Sequence, residues 1–376
     1  MKKLLIGSTA LFAVGAISSA AQADIAKLSV SGQIDIAYSV IDSEVANSDG
    51  TDGAGMGSGN SSTQLVFDWG GATESGLQYG ARLDYRFQND DADELYVFLA
   101  GDWGRLHIGG DDGVVDAFAP GGESVLAGAW GYDGNHNVAP TSGSGTTGYF
   151  VSSNGTILTA NPQSAASGSS ILTVAPTLAT ETDDSMKFSY YSPSFSGFQV
   201  GASYIPDVSS TSNTTGSGVL GGKTGYEVAA KWDGSFDAVS IGLGGGYIGQ
   251  TDTTGQKSSQ GMRLGTTIGF AGFSFGMGYG DNFDTGCASG STNCDGGDYW
   301  SYGLAYSFGP GAVSIGYIDA EKDGGADGEA YSFDADYRLA DGLQAFGGVN
   351  YYEVDPVLGA ADRDLTQGIV GLRVSF

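Results

Sequence analysis

Basic residues are scarce in this chain: Lys and Arg together number 15 among 376 residues, against 43 Asp and Glu. A protein that grips nucleic acid through its phosphates needs a basic patch, and no segment here supplies one. Histidine is scarcer still, with His107 and His136 the only two. Hydrolytic catalysis usually sets a histidine beside a serine or an aspartate. His136 lies in the polar stretch YDGNHN and His107 on an alternating segment, so a lipase or protease is a poor reading. Beyond the amino-terminal stretch no apolar run reaches 18 residues, which excludes a membrane-crossing helix. There are two cysteines, Cys287 and Cys294, in the polar stretch DTGCASGSTNCDGGD. In an exported protein such a pair reads as a disulfide clipping a loop. A metal site is the alternative, but His107 and His136 are too distant in sequence to complete it obviously.

Export is written at the amino terminus. Lys2 and Lys3 precede an apolar stretch from Leu4 to about Ile17, and Ala21-Gln22-Ala23 forms an A-x-A cleavage site. This pattern is a secretory signal peptide over residues 1–23. Cleavage there leaves residues 24–376, with 13 basic residues against 43 acidic ones and a formal net charge of −30. A mature chain without a spanning helix can reside in a membrane only as a closed barrel.

The remaining composition suits that outcome. Gly is abundant (65 residues) without a collagen-like period, and 20 Tyr with 18 Phe can bury or anchor ample surface, which argues against disorder. Alternation with intervening turn residues marks sixteen segments, near 27–40, 61–70, 76–88, 93–101, 104–110, 185–192, 198–205, 224–232, 237–248, 260–270, 272–280, 298–308, 311–319, 329–338, 343–353 and 366–376. Many of these lengths fit a tilted strand crossing the hydrocarbon. Short turns (SPSFSG, DGSFD, FGPG, LADG) interleave with longer polar loops (206–223, 281–297, 320–328), the asymmetry of outer-membrane barrels. On the first segment Leu28, Val30, Ile34, Ile36 and Tyr38 share one face, opposite Lys27, Ser29, Ser31, Gln33 and Asp35. The closing segment places Gly368, Val370, Leu372, Val374 and Phe376 together, and the chain ends on that aromatic. An interfacial ring gives such a residue a physical home, and the last strand can close against the first. Sixteen strands enclose more space than side chains fill, so the fold expected is an all-β, transmembrane antiparallel barrel around an aqueous lumen.

Three stretches carry a family likeness: SSTQLVFDWGGATESGLQYGARLDYRF, DWGRLHIGGDDGVVDAFAPGGES and MKFSYYSPSFSGFQVGASY. DADYRLADGLQAFGGVNYY and the terminal GLRVSF extend it over essentially the whole mature chain. The sequence resembles the general trimeric porins of Gram-negative outer membranes, particularly the alphaproteobacterial type. The resemblance implies a homotrimer among outer-membrane lipid and lipopolysaccharide, with small hydrophilic solutes and ions as cargo. It also implies a long third loop, here spanning roughly Asp111–Asp184, folded into the lumen. One position departs: Gly110 stands where many relatives carry an arginine, and Arg105 lies earlier on the strand. An extra short hairpin is a further reading for Ile171–Leu178.

Selectivity in such a pore follows from its width and from the charges at its narrowest point. The basic candidates are Arg82, Arg86, Arg105 and His107; the acidic ones, on the loop, are Asp111, Asp112, Asp116 and Glu123. Opposed across a narrow gap, these sets would order water and orient dipolar solutes. Their near balance leaves the acidic vestibule to decide, so the expectation is passive diffusion with weak cation preference. The rival is a substrate-specific channel, for a sugar or another small polar solute, lined by inward aromatics such as Tyr191, Phe346 and Tyr352. A basic phosphate-capturing lumen does not fit the charge, and a purely structural barrel is a further reading. Acid-rich segments such as GGDDG and DAEKDGGADGE also permit, without demanding, a structural Ca²⁺.

Overall fold

A computed structural model gives the fold. It describes residues 24–45, 48–49, 53–58, 63–87, 91–128, 132, 150–151, 157–158, 178, 182, 184–208, 224–251, 258–283, 285, 296–322, 326–355 and 363–376. The first wall strand is β1 (Asp24–Val45). The second, β2, runs in three pieces, Ser48–Asp49, Gly53–Ser58 and Gln64–Ala72, which pair successively with β1. Then follow β3 (Gln78–Arg86), β4 (Asp91–Gly101), β5 (Gly104–Gly110), β6 (Met186–Tyr191), β7 (Phe198–Ile205) and β8 (Gly225–Phe236). The wall continues through β9 (Val239–Gln250), β10 (Gln260–Phe270), β11 (Phe273–Asp281) and β12 (Asp298–Phe308). It is completed by β13 (Gly311–Lys322), β14 (Ala326–Ala340), β15 (Leu343–Asp355) and β16 (Arg363–Ser375). Every neighbouring pair is antiparallel, and β16 pairs with β1 from Gln33↔Ser375 to Val45↔Arg363. The sheet therefore closes as a sixteen-stranded barrel with no free edge, which removes the open-edge liability of a flat sheet.

Period-two side chains decide which face is which. Leu28 (63 % exposed), Phe273 (52 %) and their neighbours project from the outer surface, while Asp35, Ser39, Glu227, Arg263, Ser301 and Asp334 occupy the opposite face and are buried. An apolar exterior around a polar interior suits lipid outside and water inside. Hairpins at one end are tight. Between β10 and β11, Ala271 and Gly272 both take positive φ (50° and 88°), the twist that a two-residue β-hairpin requires. At the seam Gly32 and Phe376 exchange both backbone hydrogen bonds (3.0 and 3.1 Å), so the last residue is part of the ladder.

After β5 the chain leaves the wall. A short helix α1 (Val114–Phe118) and a 3₁₀ turn (Glu123–Val125) follow, and both lie against the inner face of β7–β12. Val114, Val115 and Phe118 form a buried apolar cluster with Tyr191, Ala229 and Ile248 of the wall. Phe150–Val151 pair antiparallel with Ile157–Leu158. The further hairpin read at Ile171–Leu178 falls almost wholly outside the described residues. The signal peptide and the Cys287–Cys294 pair lie outside them as well.

Candidate functional site

The inner wall and the segment that rests on it form the site. Asp111, directly after β5, is buried, and its carbonyl oxygen accepts from Lys187 Nζ on β6. Its carboxylate meets Nδ1 of His107, while Arg105 Nε donates to His107 Nε2 across 2.6 Å. A ring nitrogen that accepts from guanidinium carries no proton there, so the geometry puts the proton of a neutral imidazole on Nδ1, facing Asp111. Tyr96 stacks on the same ring, with centroids 4.3 Å apart and planes 14° from parallel. Arg105 in turn lies over Phe98, 3.9 Å from its centroid.

From there the wall supplies the bonds that the segment cannot make for itself. The first N–H groups of a helix have no partner within it. Val114 N donates to Ser203 Oγ (3.3 Å) and Val115 N to Glu227 Oε2 (3.2 Å), and the Thr182 hydroxyl donates to the other oxygen of Glu227. Further on, Gly122 N donates to Ser301 Oγ (3.1 Å), Ala127 N to Ser314 Oγ (2.8 Å) and Gly128 N to Asp336 Oδ2 (2.8 Å). Residues 114–128 are thus laced to β7, β8, β12, β13 and β14 in succession.

The remaining charged side chains find partners other than those a simple two-sided arrangement would give. Arg82 pairs with acids of its own wall: Glu94 (Nε–Oε2 2.6 Å), Asp68 (3.8 Å) and Asp84 (4.0 Å). Arg86 pairs with Asp93. Asp116 and Glu123 bond Arg263 on β10 instead, each at 2.7 Å, through Nη1 and Nη2 respectively. The structure therefore brings Arg105, His107 and Asp111 together, and Arg82 adjoins them, since its register partner Tyr96 is the ring stacked on His107. It gives two of the four loop acids a wall arginine that the sequence reading did not single out. A signal was available: Arg263 is the one charge in QGMRLGTTIGF, at an inward position of its strand. Glu94, Asp68 and Glu227 were likewise unnamed, though each occupies an inward alternation position.

Comparison with known proteins decides the family, because the Gram-negative porin family matches residues 8–356. The chain belongs to the Gram-negative porins. The porin's fold agrees with that of solved barrels at low identity. The trimer form of in-vitro folded OmpT, an outer-membrane protein of Vibrio cholerae, has a TM-score of 0.57 at 13 % identity, covering 94 % of this chain and 100 % of that one. A porin refined at 1.8 Å resolution gives 0.54 at 18 % identity, over 93 % and 100 %. A mutant of the Rh. blastica porin gives 0.53 at 18 %, over the same shares. Comparison with curated proteins returned no match. As a member of this family the protein is an outer-membrane channel rather than an enzyme.

The inward aromatics of the porin are engaged with protein groups. Tyr191 packs on Phe118 (5.7 Å) and His107 (5.1 Å). Phe346 lies 5.6 Å beneath the Arg373 guanidinium, and Tyr352 donates to the carbonyl of Tyr132 (3.5 Å). All three are at most 8 % exposed, so they do not present the open row of rings along which a sugar could slide.

Proposed function

We propose that this porin is a passive diffusion channel for small hydrophilic solutes and ions, exported through cleavage of residues 1–23 and assembled as a homotrimer. The observation that carries the reading is the inner surface itself. Sixteen strands enclose a lumen too wide for side chains to fill, and residues 114–128 of the third loop are bonded to its wall. The trimeric form of the Vibrio neighbour supports the assembly. Weak cation preference follows from the local charge: around Arg82 and Arg86 stand Asp68, Asp84, Asp93 and Glu94, and two loop acids share the single Arg263. The buried state of Tyr191, Phe346 and Tyr352 favours this general channel over a sugar-specific one.

Planar-bilayer recording tests the reading. Stepwise openings whose conductance rises linearly with salt concentration support a general pore. Saturation of the current by one solute would replace it with a specific channel.

A further inference from the structure

Asp116 and Glu123 converge on one guanidinium that is only 6 % exposed. Between these two acids the backbone of residues 118–122 lies directly on the wall. A Cβ placed on Gly265 would come within 1.4 Å of the Pro120 carbonyl oxygen, and one on Gly244 within 1.7 Å of that of Phe118. On Gly303 it would meet the Gly122 oxygen at 2.1 Å, and on Gly276 the Gly121 oxygen at 2.5 Å. No side chain fits between loop and wall along this stretch, so the segment already takes up as little of the lumen as its own thickness allows.

We infer that Arg263 is a positioning residue for permeation, whose two ion pairs hold residues 116–123 flat on the wall and so set the pore width. The inference rests on the reading of the barrel as a diffusion channel. A planar guanidinium can donate from two nitrogens in fixed, diverging directions, whereas a lysine ammonium acts as a single compact charge. Without the fork, Asp116 loses its arginine bond and Glu123 is left with the Ser301 hydroxyl, which donates to Oε2 across 3.2 Å, so residues 116–123 are held less tightly. Since the wall blocks movement outward, the displacement open to the segment is toward the lumen axis. The pore then narrows.

The test is permeation of uncharged sugars of graded size into liposomes, with reversal potential measured alongside. R263K keeps the positive charge but loses the fork, and G265A changes no charge but pushes from beneath the loop. Both should shift the size limit toward smaller sugars, with the reversal potential unchanged in G265A. G242A, on the same face of β9 but facing Thr267 and Asp233 side chains rather than the loop, should keep the wild-type limit. Should a wall variant fail to assemble, the double variant D116A/E123A removes both ion pairs from the loop side, and its size limit decides. Wild-type limits in R263K and G265A, or in that double variant, would overturn the inference. A wild-type protein that admits no sugar at all would overturn the channel reading itself, and this inference with it.

Discussion

Arg373 and Asp35 show how much a single pair can contribute at the barrel seam. Their three contacts measure 2.7, 3.0 and 3.1 Å, from Nη2 and Nε to the two carboxylate oxygens, and Asp35 is fully buried. Removing one partner strands the other, which typically costs on the order of 3–5 kcal/mol for a buried pair. Asp35→Asn should therefore lower the urea midpoint of the detergent-solubilised barrel clearly, while an exposed substitution such as Glu74→Gln leaves it in place. Phe376 acts at the same seam by other means. Its ring stands 62 % exposed on the outer surface, and its backbone N–H and C=O both bond Gly32. Deleting it removes two ladder bonds, each worth about 0.5–1.5 kcal/mol net, together with an interfacial anchor. The expected result is a lower yield of assembled barrels, seen as less of the heat-modifiable band on gels, with normal conductance in those that assemble. A normal yield would show that the terminal ring is dispensable.

At the scale of elements, the outer face of β11–β16 shows a sharp change of chemistry. Tyr302, Tyr317, Tyr331 and Tyr351 are register partners in turn, an aromatic row across four strands. One pleat further toward the long loops, Asp319, Glu329, Glu353 and Asp364 are partners in the same way, and beyond them Asp281, Asp298, Glu321 and Asp327. Like charges directly opposite one another destabilise a sheet, at up to about 0.2–1 kcal/mol per pair, and salt screens exposed charges. Glu329→Gln with Glu353→Gln should raise the melting temperature at low ionic strength, and the gain should fade as salt is added. A gain that persists in high salt would assign the effect to packing instead.

Most wall strands were legible in the sequence because lipid on one side and water on the other impose a strict period of two. The stretch GAGMGS was not read as wall, since glycine at every second position leaves no alternation to see; only its pairing with Ile36–Ile41 of β1 makes it strand. The ion pairs were harder still. Asp116 and Glu123 find Arg263 across 147 and 140 residues of chain, and such partners are fixed by barrel register and loop path, which no local pattern encodes. The root of the loop, where Arg105, His107 and Asp111 lie within six residues, could be named from the sequence.

For the whole molecule, acid outweighs base by 28 charges over the full chain, yet ions inside the channel sense only charges within roughly a Debye length, about 8 Å at physiological salt. Selectivity therefore depends on the lining. Replacing Asp116 and Glu123 by Asn and Gln uncovers the positive Arg263 as well as removing two negative charges. The reversal potential in a salt gradient should move toward anion preference, most at low ionic strength. The same exchange at Asp327, on the outer surface, should leave it unchanged. If both variants behave alike, the lining does not govern selectivity.

Closure of the sheet also governs when the protein can exist at all. The pairing of β1 with β16 joins residues such as Asp35 and Arg373, 338 positions apart, and such distant contacts must await the chain between them. The strand made first waits for the strand made last, so nothing short of the complete polypeptide can satisfy both edges. Closure of the barrel before β16 is in place is thereby excluded. The two edges satisfy each other only in the step that brings β16 against β1, so closure comes last in the building of the wall.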